Sequence, residues 1–142
     1  MNIVETRDRV RYILTDLLGT VEVDRDGEFS FRHDSARVFV GVRPFDKGCV
    51  VEVRAYTNIG VPPSPELFEY VALNANAYVF GHLGAFEDDD GEVVVIFSHR
   101  LLGDYLDPEE LKVAVAAVAS TADEIDDEIR ERFGGRLFHE DD

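Results

Sequence analysis

The sequence predicts an α+β domain in which an antiparallel sheet is flanked by helices, in the order α-β-β-β-β-α-β-β-α. Three observations carry this expectation. Three segments place apolar residues at helical spacing behind recognisable caps; six others are rich in β-branched and aromatic residues; and Asp- and Gly-containing turns reverse the chain between neighbouring strands. Length agrees, because 142 residues with 45% hydrophobic content, 10 Phe and 5 Tyr are enough for one core. That single domain is expected over residues 1–135, with 136–142 as a frayed acidic tail.

In the first segment Ile3, Val10, Ile13, Leu14, Leu17 and Leu18 share one helical face, and Gly19 is placed to end the helix. Strands follow at residues 20–24 and 28–32, joined by the hairpin pair Asp26-Gly27. Longer strands at 36–45 and 49–59 meet through Asp46-Lys47-Gly48. In the second of these, Val51, Val53, Ala55 and Thr57 alternate with Glu52, Arg54 and Tyr56, which predicts one wetter face. Gly60-Val61-Pro62-Pro63 should stop the sheet. Ser64 as N-cap and Pro65 at the first helical position then open a helix expected to reach about Tyr78. Residues 79–87 and 92–101 read as a hairpin around Asp88-Asp89-Asp90-Gly91. Asp107-Pro108-Glu109-Glu110 forms a capping box for a helix running to about Phe133, before Gly134-Gly135.

Charge narrows the classes of function. Against 30 acidic residues stand 14 basic ones, net −16. Residues 1–86 hold 12 acidic and 9 basic side chains, whereas residues 87–142 hold 18 and 5. Such a surface lacks the basic patch that binds phosphate backbones, so nucleic acid is not the expected partner, and an anionic membrane is disfavoured too. One cysteine, Cys49, excludes an internal disulfide and a Cys-cluster zinc site. No signal segment and no membrane-length apolar run is found, so the expected location is the cytoplasm.

Catalytic and metal motifs are missing. None of His33, His82, His99 and His139 forms an i, i+4 helical pair, and there is no H-E-x-x-H, C-x-x-C, P-loop, G-x-S-x-G or G-x-G-x-x-G. Neither acidic turn, around Gly27 or Gly91, supplies the ligand pattern of an EF-hand loop. No cofactor or metal is therefore expected. An enzyme, if this were one, would draw on His82, His99 and the carboxylates of residues 87–90.

Apolar surface exceeds the needs of one core. In the last helix Leu111, Val115, Val118, Ala122, Ile125 and Ile129 make one stripe, while Val113, Ala116 and Ala117 make the opposite side apolar as well. The middle helix repeats this: Leu67, Phe68, Val71, Ala75 and Tyr78 form one face, and Tyr70, Leu73 and Ala77 a second strip. The second strips, Tyr70, Leu73, Ala77, Val113, Ala116 and Ala117, are the candidate surface for a protein partner or a second copy of the chain.

Residues 67–135 resemble the YbjN-type family, which has the fold of type III secretion chaperones. The similarity lies in the helix with Asn74 and Asn76, then Phe80-Gly81-His82-Leu83, the acidic turn and strand 93–97. It continues through residues 101–106, the entry Asp107-Pro108-Glu109-Glu110-Leu111, and Ala122-Asp123 in the long helix. This resemblance implies a type III secretion chaperone-like fold, a tendency to homodimerise, and a chaperone or regulator that binds peptides rather than an enzyme. It brings no catalytic residues. The sequence is thus read as a non-enzymatic protein- or peptide-binding module. A hydrolase or metal-dependent enzyme built on the histidines, and a structural subunit of a heteromeric assembly, are the alternatives.

Overall fold

Capping chemistry sets the helix boundaries. In the computed structural model, which describes residues 2–138, the Asn2 side chain accepts the Glu5 N–H at 2.8 Å and opens α1 (Ile3–Leu18), ended by Gly19 at φ 85°. Ser64 accepts the Leu67 N–H at the start of α2 (Pro65–Asn74), and Asp107 accepts those of Glu109 and Glu110 at the start of α3 (Pro108–Phe133). Each cap satisfies N–H groups that have no partner inside the helix.

The strands are β1 (Glu22–Val23), β2 (Phe29–His33), β3 (Ala36–Phe45), β4 (Gly48–Val61), β5 (His82–Glu87), β6 (Val93–Leu102) and β7 (Arg136–Leu137). They form one antiparallel sheet in the order β1-β2-β3-β4-β6-β5, with β7 on β4. Register places Val40 opposite Val53 and Val53 opposite His99, so the central strands align their alternating residues on common faces. Val38, Val40, Val51, Val53, Ala55 and Phe97 lie on one face and are fully buried. They form one core with Val10 and Leu14 of α1, Leu67 of α2, and Leu111, Val115, Val118, Ala122 and Ile129 of α3.

Element order matches the sequence expectation, with β7 added, and several boundaries differ. Strand β4 does not stop at Ile59: two irregularities in its pairing with β6, around Asn58, absorb the left-handed Gly60 (φ 62°), and the strand continues to Val61 before Pro62. Helix α2 ends at Asn74 rather than about Tyr78, and residues 79–81 are not strand. A 3-10 turn, Gly103–Tyr105, follows β6. The tail expected to be frayed from residue 136 instead begins with a pair on β4, Asn58 opposite Leu137 and Ile59 opposite Arg136, with Leu137 buried. Residues 139–142, including His139, lie outside the described residues, as does Met1.

Candidate functional site

Of the six sequence-selected residues, Tyr70 and Leu73 line one cleft beside α3 and Val113 lines another, while Ala77, Ala116 and Ala117 line neither. Helix α2 ends early because Asn74 turns its side chain back, donating to the Tyr70 carbonyl at 2.8 Å, and the chain becomes irregular over residues 75–81. This loop is pinned at three places. The Leu83 N–H donates to the Ala75 carbonyl at 3.2 Å, the Tyr78 ring packs edge-on against Phe97 at 4.9 Å, and the Gly81 N–H donates to His99 Nδ1 at 3.0 Å. Gly81 takes φ 91°, and a Cβ there would lie 2.5 Å from the Phe97 ring, so only glycine fits. Between the pins Val79 is left 90% exposed.

On one side of the loop is a cleft of about 450 Å³ lined by Phe80, His99, Leu101, Glu109, Glu110 and Val113. Its walls are apolar, both charged lining residues are acidic, and no cation lines it. The Phe80 ring stands edge-on to His99 at 5.8 Å. Because His99 Nδ1 accepts from Gly81, its proton sits on Nε2; burial, with His82 adding to it, holds the imidazole pKa below the ordinary value and so favours the neutral ring. Beyond the loop a second cleft, about 570 Å³, is bounded by Glu66, Glu69, Tyr70, Leu73, Tyr78, Ile125, Glu128 and Arg132, a mixed-charge lining.

Of the sequence-selected residues, Leu73 (75% exposed) and Val113 (45%) are open, and Ala77 and Ala116 are exposed. Ala117 is half-buried. Tyr70 is also half-buried, its ring 5.4 Å from Phe133 and beneath the Arg132 guanidinium at 4.9 Å; burial raises its pKa, with Glu128 acting the same way. Ala77 is not on a helix at all. Phe68, assigned to the inner face of α2, is instead 42% exposed, while Leu67 and Val71 are buried. Sequence reading missed Val79 and Phe80, taken as strand. The signal was available in Asn74 and Asn76, poor helix formers just before Gly81.

The residues of the enzyme alternative are not brought together. His82 pairs with Ser98 in the β5–β6 ladder, so it projects from the face opposite His99. Glu87 pairs with Val93 at the far end of that hairpin, and Asp88 Oδ1 is occupied accepting the Asp90 and Glu92 N–H groups at 2.9 and 3.0 Å. Two surface groups, His33/Asp34/Asp123 and Asp88/Asp90/Glu92, each set three donor atoms within 4.8 Å of one another.

On the sheet face away from α1 and α3, Glu52 and Arg54 are buried. Arg54 makes a two-pronged pair with Glu28, at 2.6 and 2.7 Å, and donates to the Tyr56 hydroxyl at 2.9 Å. Its guanidinium lies over Phe39 and Tyr56, which cluster with Phe138. Glu52 holds Arg100 at 2.9 Å and Arg43 at 3.3 Å. The hydrogen bond from Arg54 keeps the Glu28 carboxyl below the usual range. The wetter face expected from alternation is therefore a covered ion network.

Residues 5–141 match the family described as T3SS (YopN, CesT) and YbjN peptide-binding chaperone 1. Among curated proteins none matches the chain. Solved structures with the same fold include the ExsC–ExsE complex, with a TM-score of 0.64 at 18% identity over 89% of this chain and 96% of that one. The Yersinia pestis type III secretion chaperone SycH, in complex with a stable fragment of YscM2, gives 0.56 at 14% identity over 84% and 98%. YbjN from E. coli gives 0.54 at 13% identity over 83% and 92%. At such identities the structural likeness is one of fold.

Proposed function

The chain belongs to the T3SS (YopN, CesT) and YbjN peptide-binding chaperone family, and from that membership we propose that it is a non-enzymatic cytoplasmic chaperone or regulator that holds a segment of a partner protein in the Phe80–Val113 cleft. One observation carries this reading: the cleft combines apolar walls with two carboxylates and no cation. Such a lining favours a segment with an apolar anchor beside Lys or Arg, because burial supplies affinity while the acidic rim selects charge. Net charge of the same sign across residues 87–142 extends the field beyond the cleft and raises the on-rate.

Fluorescence anisotropy with labelled peptides that pair Leu with Lys or Leu with Glu tests this. The Leu–Lys peptide should bind at least about tenfold tighter, a difference of about 1.4 kcal/mol, and added salt should slow its association while leaving dissociation nearly unchanged. Val113→Asp should abolish binding without changing the melting temperature, since Val113 is already exposed. Equal binding of both peptides, or an indifferent Val113→Asp variant, overturns the assignment.

The second cleft supports a separate proposal, self-association. Tyr70 and Leu73 line it together with Glu66, Glu69, Glu128 and Arg132, both signs of charge on one patch. A patch of that kind is self-complementary about a two-fold axis. Light scattering at micromolar concentration should report a dimer, and Leu73→Arg a monomer that still binds the Leu–Lys peptide.

A further inference from the structure

We propose that the turn between β2 and β3 is latched to α3 by a carboxylic acid–hydroxyl–carboxylate chain, Asp126–Ser35–Asp123, in which Asp126 holds a proton whose loss opens the latch. The geometry demands the proton. Ser35 Oγ lies within hydrogen-bond range of two carboxylates at once, Asp123 Oδ1 and Asp126 Oδ2, the latter at 2.5 Å. A hydroxyl has one hydrogen to give. The Ser35 N–H also donates to Asp123 Oδ1 at 2.9 Å, so Asp123 is the oxygen set supplied with donors. The consistent arrangement is Asp126 Oδ2–H donating to Ser35 Oγ, and Ser35 Oγ–H donating to Asp123 Oδ1.

Burial points the same way. Asp126 is 1% exposed, and its Oδ1 has no hydrogen-bond partner among the described residues; neither does Oδ1 of the neighbouring Asn58, whose Nδ2 is spent on the Asp126 carbonyl at 3.0 Å. A buried carboxylate left half-satisfied is strongly disfavoured, and the neutral acid with the same unmatched oxygen much less so. The charges around it favour the acid. On its own helix stand Asp123 and Asp127, the latter paired with Arg130 at 3.2 Å. On the turn stand His33 and Asp34, 3.8 Å apart. From β4 comes the uncharged Asn58. Burial accordingly raises the Asp126 pKa, while the Ser35 hydrogen bonds lower that of Asp123. Two carboxyls bridged by one hydroxyl are pushed apart into a donor and an acceptor.

The sign of the pH effect follows. A folded-state pKa raised above the unfolded value contributes stability that is fully present below the unfolded value and is lost as pH rises through the folded one. Ionised Asp126 would face ionised Asp123 across a single hydroxyl, loosening the turn of residues 33–36 from α3.

Carbon-13 NMR of the full chain should show the Asp126 carboxyl titrating above the ordinary aspartate value of about 3.9 and Asp123 below it. Asp126→Asn keeps a donor for Ser35 without the charge. The melting temperature of Asp126→Asn relative to the parent should therefore rise with pH through the Asp126 midpoint, whereas Asp123→Asn should lower it at every pH above that residue's own midpoint. An Asp126 midpoint at or below 3.9, or a difference between Asp126→Asn and parent that is flat with pH, overturns the latch. So does a melting temperature that falls on adding chelator, which would mean that a divalent cation at His33, Asp34 and Asp123 neutralises the pair instead. The NMR arm uses the unmodified chain and stands even if a variant fails to fold.

Discussion

On β4, Val51, Val53 and Ala55 point under α1 and α3 and are fully buried, while Glu52 and Arg54, on the other face, are only 6% and 7% exposed. Depth of burial is nearly the same and the chemistry is opposite. The apolar face is held by transfer of its side chains out of water and by packing against three helices. The charged face is held because every ion has a partner: Arg54 with Glu28 and Tyr56, Glu52 with Arg43 and Arg100. Removing a group from the first face leaves a hole; removing one from the second leaves an unpaired ion. Low exposure alone therefore does not reveal what stabilises a position.

Perturbations separate the two cases. Phe97→Ala should have the largest effect, about 3–5 kcal/mol in denaturant unfolding, because it empties the centre of the apolar face and removes the support for Tyr78. Arg54→Ala should cost roughly 2–4 kcal/mol, reduced from the fully buried case because Glu28 keeps some contact with water. Adding Glu28→Gln to it should recover much of that loss, and a cycle of the two that shows simple additivity would break the comparison. Because the Arg54 hydrogen bond lowers the Glu28 pKa, its stabilisation is present above the ordinary value of 4.5 and is lost as pH falls through the folded value. The parent should therefore lose this contribution in acid, and Arg54→Ala should not. Gly41→Ala should cost about 1–3 kcal/mol, since the added Cβ would sit 2.4 Å from the Glu28 carboxylate and dislodge it from Arg54. Arg100→Ala, at the exposed rim, should cost no more than about 1 kcal/mol, and less at high salt.

Local chemistry made most of the fold legible. Asn2 was not needed to find α1, whose apolar period suffices, but Ser64-Pro65 and Asp107-Pro108 announce their helices in a few residues, and Asp26-Gly27 announces its hairpin. The stripe Leu111, Val115, Val118, Ala122, Ile125 and Ile129 is buried as its spacing requires. What stayed hidden depends on distant residues. Nothing local marks Arg136–Leu137 as strand; its partner, Asn58–Ile59, lies on the far side of α3 in sequence. Helical spacing puts Asp126 beside Ala122 and Ile129 on the inner face, but nothing local names Ser35, 91 residues away, as its partner. The binding surface was half visible. Val113 and Leu73 stand out as surplus apolar residues, whereas Val79 and Phe80 read as strand and are held out of one by the contacts of Ala75, Tyr78 and Gly81.

The attachment of β7 to β4 has a bearing on how the chain assembles as it is made. Strand β4 receives β3 from the residues just before it and β6 after one intervening helix, so most of its two edges fills early. The stretch at Asn58–Ile59 beyond the reach of β3 waits for residues 136–137, and these emerge only after the whole of α3. At a synthesis rate of about 5–20 residues per second, that wait lasts on the order of seconds. During it the nascent sheet keeps one short open edge beside its irregular pairing with β6. The last backbone ladder to close also draws in Phe138, which joins Phe39 and Tyr56 over the ion network. Completion of the charged face is thus tied to the emergence of residues 136–138, while the apolar face can begin to form before it.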